Sequence, residues 1–326
     1  MSTDLYTWDF RDPNEWLSRT ARRELPPLIV TVAITGGVHG KEINPNHPET
    51  PQEQADQSYE CYKLGASMVH IHARDAKDPS APAVEPERYR EINALVREKC
   101  PDIIINNTTS NKAMDTSEGK SAPLEEQLRS LDANPEVCSM NMGPLMGRLR
   151  LKERPPYRPQ AISMEVTTPI SFTSVETIAR ITAKKGIKPE IEIWHHGQFP
   201  VLRYCIEQGL LKPPYWVQVV LGNGNGADAT PKNLMHEMEL APKNTVLSVA
   251  GLMPYQTQMA TMAILLGLNV RTGMEDNPYY DKGVLCTGNA QLVERVIRIA
   301  RELGRDIATP KQARQIMGLS EKPSKY

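Results

Sequence analysis

The feature that most constrains this chain is a rhythm. Short apolar, mostly β-branched runs recur at residues 28–35 (LIVTVAIT), 67–73 (SMVHIHA), 102–109 (DIIINNTT), 136–143 (EVCSMNMG), 189–194 (PEIEIW), 215–222 (YWVQVVLG), 245–251 (TVLSVAG) and 269–273 (NVRTG). Helix-like stretches separate them. TPQEQADQSYECYKLGA has Thr50 to cap a helix and Pro51 to begin it. SVETIARITAKKG has Ser174 three residues before Thr177 and stops at Gly186. YQTQMATMAILLGLN and NAQLVERVIRIARELG carry apolar residues at helical spacing, and TPKQARQIMGL reads as a last short helix. Strands alternating with helices form parallel sheets, and eight such units in 326 residues predict a closed (β/α)8 TIM barrel. An open doubly wound sheet is the alternative. The interval 144–188 is overlong, and AISMEVTT within it reads as a ninth strand or part of an inserted subdomain. Residues 1–27 form an N-terminal arm with apolar anchors at Tyr6, Trp8 and Trp16, either packed on a partner subunit or loosely attached. Residues 28–326 form a single barrel domain.

Composition narrows the function classes. A net charge of −1 with well-mixed signs, and only 6% aromatic residues, argues against a nucleic-acid partner. The longest apolar run, MATMAILLGL, is too short to span a bilayer, and the charged first 25 residues do not read as a signal peptide. Five scattered cysteines with no CxxC suit a reducing compartment. These points give the expectation of a soluble cytoplasmic protein without membrane or nucleic-acid partners.

MVHIHARD (68–75) is the stretch that points to chemistry. Side chains alternate along a strand, so His70 and His72 share a face. In a parallel barrel that face is the interior, near the C-terminal strand ends where active sites of this fold lie. Two imidazoles held close in a dry interior suit a divalent metal; the competing reading is a hydrogen-bonded polar cluster. A third ligand is expected from VRTGMEDN (270–277), because strands eight and two both flank strand one in a closed barrel. Arg271, Gly273 and Glu275 share a face if that strand continues, which aims Glu275 inward. Asp276 and Arg271 then stand beside the metal as a charged pair, with Asp276 as general base. The competing reading here is a salt-bridged strand end.

Thr108 in NNTTSN, with Ser139 and Asn141 on strand four, offers neutral donors at the same mouth for a substrate carboxylate. Strand ends are also often polar without any role. His195 and His196 follow strand five, and at most one should point inward. His39, His47 and His236 lie in loop-like or helical surroundings and read as surface residues. LGNGNGADATPKN (221–233) lacks dinucleotide-binding spacing and reads as an anion-binding loop or simply a turn.

Several motifs in order resemble one family, the β-keto acid cleavage enzymes, whose founding member is the 3-keto-5-aminohexanoate cleavage enzyme. They are TVAITGG, NPNHPETPQEQA, GASMVHIHARD, IIINNTT, KPEIEIW, VVLGNGNG, PKNLMHEME, VAGL, VRTGMEDN and NAQLVERVIRIARELGRDIATPKQAR, spread over about residues 28 to 319. The resemblance implies a (β/α)8 barrel with Zn2+ or another divalent metal on His70, His72 and Glu275. It implies Asp276 as base, assisted by Arg271, and hydroxyl contacts to the substrate carboxylate from Thr108 and Ser139. It also implies conversion of a β-keto acid and acetyl-CoA into acetoacetate and a new acyl-CoA, by a homodimer or homotetramer. Members that cleave the aminated acid carry an acidic residue shortly after strand one, where this chain has Val38. The expected substrate side chain is therefore apolar, aromatic or anionic, with His39 and Lys41 nearby to favour an anion.

Two rival readings are a metal-dependent hydrolase of the amidohydrolase type and a non-catalytic barrel that binds a metabolite. The hydrolase would need HxH on strand one and a lysine after strand four, and neither is present. No regulatory domain is appended that would suit a sensor.

Overall fold

The computed structural model describes residues 8–116 and 119–326. Its centre is a closed parallel barrel of eight strands: β1 (Val30–Thr35), β2 (Met68–Ile71), β3 (Ile104–Asn107), β4 (Val137–Asn141), β5 (Lys188–Ile193), β6 (Tyr215–Leu221), β7 (Thr245–Gly251) and β8 (Asn269–Thr272). They follow chain order around the ring, and β1 pairs with both β2 and β8. This is the (β/α)8 barrel that the rhythm predicts. The strands are short and nearly wholly buried, because helices cover the outer face while side chains fill the inner one.

The helices begin where local chemistry allows. Pro51–Leu64 opens on Thr50, whose hydroxyl accepts from Glu53 N while Glu53 reaches back to Thr50 N. Phe172–Lys185 is capped one turn earlier than the sequence suggests: Ser171 is the cap, and Ser174 closes the reciprocal box. Phe172, the first helical residue, is exposed. Gln256–Leu265, Asn289–Glu302 and Pro310–Met317 match the expected helices.

The lower end of the barrel is plugged. Ile29, Met68, Ile104, Val137 and Trp216 from the strands pack against Ala313, Ile316 and Met317 of the last helix. Glu136 adds a buried knot there, accepting from Arg314 Nη2 at 2.6 Å and from Arg97 Nη2 at 3.0 Å. The opposite, C-terminal end is left to carry the site.

The arm packs on its own barrel. Phe10 is buried, and Arg11 Nη1 donates to Ala241 O at 2.7 Å. Trp16 Nε1 donates to Leu265 O at 3.3 Å, and Trp8 packs against Gly267. Asp12 caps a helix over Pro13–Arg22. Tyr6 lies outside the described residues.

AISMEVTT contributes the middle strand of a small antiparallel sheet rather than a ninth barrel strand. Ile162–Thr168 pairs with Leu145–Leu151 on one side and Asp115–Thr116 on the other. Beyond the first pair, Arg154 and Arg158 reach the loop after β1. No helix among the described residues is long and apolar enough to cross a membrane.

Candidate active site

His70 lies one residue before the end of β2, facing the interior, and His72 follows on the same side, their ring centroids 5.1 Å apart. Both are buried. His72 Nδ1 sits 2.7 Å from Asn111 Oδ1. Asn111 Nδ2 is committed to the carbonyls of Ala73 and Ala83 at 3.1 and 2.7 Å. Carbonyls only accept, so Asn111 Oδ1 is the acceptor and His72 Nδ1 carries the proton. His72 Nε2 is then the ring nitrogen turned to Glu275, 3.4 Å from its Oε1. His70 stands beside Asn106 across the β2–β3 pair. Asn106 is held in turn by Glu190 at 2.9 Å, and Glu190 by Trp216 Nε1 at 2.8 Å. Burial pushes the His70 imidazole down to about 3, so it is neutral at ordinary pH.

Glu275 arrives by a turn, not by a continued strand. β8 stops at Thr272, and Gly273 takes φ of +143°, where any Cβ would run into the Ala33 backbone. Asp276 N and Asn277 N fold back to Gly273 O at 3.2 and 3.1 Å. Asn289 pins the turn, accepting from Met274 N at 2.8 Å and donating to Ile34 O at 3.0 Å. The turn lets two consecutive residues, Glu275 and Asp276, both face the barrel mouth, which an extended strand forbids.

Arg271 organises the acids. Its Nε and Nη2 donate to Asp276 Oδ2 and Oδ1 at 2.9 and 2.8 Å, a side-on bidentate pair. Nη2 also reaches Glu275 Oε1 at 2.5 Å, and Nη1 lies 3.6 Å from Glu192 Oε1. Burial works against the Glu275 charge, but the Arg271 guanidinium above all outweighs it and holds the carboxyl well below its usual range. Burial pushes Asp276 up despite Arg271, aided by the charge on Glu275. Burial pushes Glu192 up to about 8. Two carboxylates sharing one guanidinium thus differ in proton affinity, the arrangement expected of a ligand beside a base.

The residues present fit a divalent cation. One ligand atom each from His70, His72 and Glu275 lie within 4.8 Å of one another. His70 Nε2 and His72 Nε2 stand 3.7 and 3.4 Å from Glu275 Oε1. Two ligands on a tetrahedral zinc, with bonds near 2.1 Å, sit about 3.4 Å apart. Glu275 Oε2 is buried without a partner, leaving an acceptor for an ion.

Thr108 and Ser139 are buried side by side, their hydroxyl oxygens 3.5 Å apart. Each accepts a backbone N–H, Thr108 from Ser110 at 2.9 Å and Ser139 from Thr109 at 3.0 Å, which leaves its own proton to donate. Asn141 is differently placed. It accepts from Trp194 Nε1 at 2.6 Å and donates to Ser110 Oγ at 2.9 Å, so its amide is occupied at both ends. Val38 is half-buried in the loop after β1. That loop passes close to the ligands: a Cβ on Gly36 would lie 3.0 Å from Glu275 Cγ, and one on Gly37 3.2 Å from His72 Nδ1.

The histidine expectations need correction. His47 is not a surface residue; it is buried and paired with Thr35 Oγ1 at 2.9 Å, and burial pushes it down to about 3. His39 is half-buried with its Nδ1 enclosed and unpartnered. His236 is exposed, as expected. Lys41 turns away to Glu53 at 2.5 Å, outside the mouth. Glu190 and Glu192 belong to the cluster and were missed from sequence, whereas Asn106 and Asn111 are the end amides of NNTTSN, the stretch expected at the mouth. PEIEIW carried a usable signal for the two glutamates, since alternation puts both on one face.

The beta-keto acid cleavage enzyme family model matches residues 27–319. A 3-keto-5-aminohexanoate cleavage enzyme of Fusobacterium nucleatum is 35% identical over 90% of this chain and 98% of its own length. A 3,5-dioxohexanoate:acetyl-CoA acetone transferase of Paraburkholderia graminis is 30% identical over 90% of this chain and 96% of its own. Among solved structures, the binary complex of ObcA with oxaloacetate superposes with a TM-score of 0.65 at 18% identity, over 85% of this chain and 68% of that one. At that identity the likeness is one of fold. With the family model matched over residues 27–319 and a relative 35% identical over nearly its whole length, the chain belongs to the beta-keto acid cleavage enzyme family.

Proposed function

We propose that this chain exchanges acyl groups between a β-keto acid and acetyl-CoA, giving acetoacetate and a new acyl-CoA. The observation that carries the reading is the Arg271–Asp276 pair set directly beside the His70, His72 and Glu275 trio. The name of the Paraburkholderia relative, which pairs a β-keto acid with acetyl-CoA, supports the same chemistry. His70, His72 and Glu275 would hold a divalent cation, zinc first among them. When bound, such an ion supplies Lewis acidity, drawing electron density from a carbonyl and acidifying the adjacent C–H.

The chain's own residues do the rest. Thr108 and Ser139 direct their free hydroxyl protons at the substrate carboxylate. Asn141 contributes by fixing Ser110 and Trp194 around them. Asp276, raised by burial, accepts the proton from C2, and Arg271 fixes the orientation of that carboxylate. C2 bonds to the acetyl carbon as the C–S bond breaks and CoA leaves as thiolate. The thiolate adds to the original C3 carbonyl, and the C2–C3 bond breaks. Asp276 returns its proton to C2, which yields acetoacetate and the exchanged acyl-CoA. Val38 lies where the substrate side chain emerges.

The same reading includes a cytoplasmic homodimer or homotetramer. All five cysteines are free and buried, which supports a reducing compartment. Met253, Tyr255, Val284 and Leu285, exposed apolar residues, offer surface for a subunit contact.

The test is a panel of β-keto acids with acetyl-CoA, read by acetoacetate release. Turnover should require acetyl-CoA, which separates this reaction from hydrolysis. Asp276→Asn should keep its metal and lose on the order of 100- to 10,000-fold in kcat. Unchanged turnover would remove Asp276 from the role of base.

A further inference from the structure

The overlong interval after β4 builds a ribbon that the proposed exchange does not use. None of the motifs behind the family resemblance falls in residues 144–187. The two ribbon strands, Leu145–Leu151 and Ile162–Thr168, rise from the end of β4, and their tip lands on the loop after β1. Three interstrand steps separate β4 from β1, about 14 Å. Each ribbon strand has 7 residues, and at about 3.3 Å per residue it covers that distance. The ribbon thus passes the C-terminal ends of β3 and β2, the side of the mouth where His70 and His72 stand.

Packing seats the ribbon loosely. Leu145, Leu149, Leu151, Ile162 and Met164 form a half-buried apolar face, Met146, Arg148 and Arg150 are exposed on the other, and only Val166 is buried. The tip is what fixes it. Arg154 donates to the two oxygens of Glu49 at 2.7 Å each and to Glu42 at 3.1 Å, and Arg158 lies 3.3 Å from the other Glu42 oxygen. Both carboxylates are enclosed, so withdrawing Arg154 strands buried charge unless another cation replaces it. Arg74 is placed to do so. It is 1% exposed and within electrostatic reach of both carboxylates. Its Nη2 donates to His39 O, while Nε and Nη1 have no partner among the described residues. Three guanidiniums therefore surround two carboxylates, one more than the closed arrangement uses.

We propose that the ribbon is a strap across the mouth, latched by Arg154 to Glu49 and Glu42, and that Arg74 takes over these carboxylates when the strap lifts. The inference rests on the acyl-exchange reading and deepens it. A closed strap keeps the CoA thiolate in the site and water out between the two halves of the exchange. Once C2 has bonded to the acetyl carbon, the thiolate must add to the C3 carbonyl. With the strap open, CoA escapes as the thiol, protonated by solvent, and water adds to C3 instead. The C2–C3 bond then breaks to acetoacetate and a free carboxylic acid rather than an acyl-CoA. Arg154 touches no reacting atom and is a positioning residue.

The test counts free thiol against acetoacetate, using acetyl-CoA and the β-keto acid that turns over fastest. The wild type should release almost no free CoA. In Arg154→Gln the thiol-to-acetoacetate ratio should rise at least about 10-fold, while metal affinity stays within about 3-fold. An unchanged ratio, or slower acetoacetate release with no free thiol, would overturn the proposal. If Arg154→Gln does not fold, the pair Arg154→Gln, Glu49→Gln removes both charges and must show the same leak. Thermal unfolding tests the change of partner: Arg154→Gln with Arg74→Gln should lose more stability than the two single losses combined, and additivity refutes it. Should no β-keto acid yield acetoacetate, acyl exchange itself fails, and hydrogen exchange decides the strap. Faster exchange across residues 145–168 in Arg154→Gln, with the barrel strands unchanged, sustains it; unchanged ribbon amides refute it.

Discussion

Asn111 is the residue through which the proposed metal centre is most sharply tested, because its two ends do separable work. Its Oδ1 accepts the His72 Nδ1 proton at 2.7 Å. Its Nδ2 serves Ala73 O, Ala83 O and the Tyr89 hydroxyl. Replacement by leucine removes both ends. The backbone loss is limited: Ala73 O still accepts from Ala83 N at 2.9 Å, and Ala83 O keeps a long contact to Tyr89 OH at 3.4 Å. The main orphan is His72 Nδ1, so the stability loss should be about 1–3 kcal/mol. The imidazole also loses what fixes its tautomer and ring plane, which typically weakens metal affinity 10- to 100-fold, or about 1.4–2.8 kcal/mol.

Asn111→Asp separates the two roles. A carboxylate still accepts from His72 and makes the imidazole a better donor to a metal, but it cannot donate to Ala83 O. That variant should lose stability while keeping or strengthening zinc binding. Zinc competition against a chelating dye, paired with urea unfolding, measures both quantities. Equal zinc affinity in the leucine and aspartate variants, whatever their stabilities, would refute the claim that Asn111 acts through His72 on a metal.

The remaining predictions concern stability and the turn after β8. Burial pushes Glu237 up to about 7 from its ordinary 4.5, and its Oε2 has no partner. A raised carboxyl favours the folded state below the unfolded pKa and loses that contribution as pH climbs through the folded one. The wild type should therefore lose up to ~3 kcal/mol between pH 4.5 and 8 from this group, and Glu237→Gln should flatten that decline in denaturant titrations; an unchanged slope would exonerate Glu237. Gly273→Ala should be destabilised by more than ~3 kcal/mol, since its Cβ would strike the Ala33 carbonyl at a backbone angle that alanine avoids. A folded, fully active Gly273→Ala would show that the turn is more pliable than its geometry implies.

How much could be read beforehand depended on whether a residue's neighbours were set by period or by tertiary folding. His70 and His72 were legible because alternation survives in any strand. The barrel was legible because eight units repeat. Glu275 and Asp276 were found for a partly mistaken reason: a continued strand would have hidden one of them, and the turn at Gly273 admits both. His47 was misjudged because its loop folds back to Thr35, a contact that no local pattern announces. The Phe172–Lys185 start was misplaced because Ser171 and Ser174 both look like caps, and only the backbone decides which is one.

If the loop after β1 meets the substrate side chain as proposed, its packing separates specificity from chemistry. Gly36 and Gly37 are held against Glu275 and His72, and a Cβ on Gly40 would lie 2.6 Å from Arg154 Nη1. Side chains at those three positions would displace a proposed metal ligand or the Arg154–Glu49 pair. Val38 and His39 lie between them in the chain, both half-buried. Because β1 sits between β2 and β8, this one loop crosses both strands that furnish the trio. On the proposed reading, a substitution at Val38 would change what the substrate side chain meets while the glycines keep the proposed ligands in register. The test of that separation is Val38→Glu: it should alter which acid is preferred and leave metal affinity within about 3-fold, since its charge lies outside the coordinating set. A large loss of metal affinity would mean that the loop and the trio are one mechanical unit, and that substrate choice in this chain cannot be tuned apart from its proposed metal.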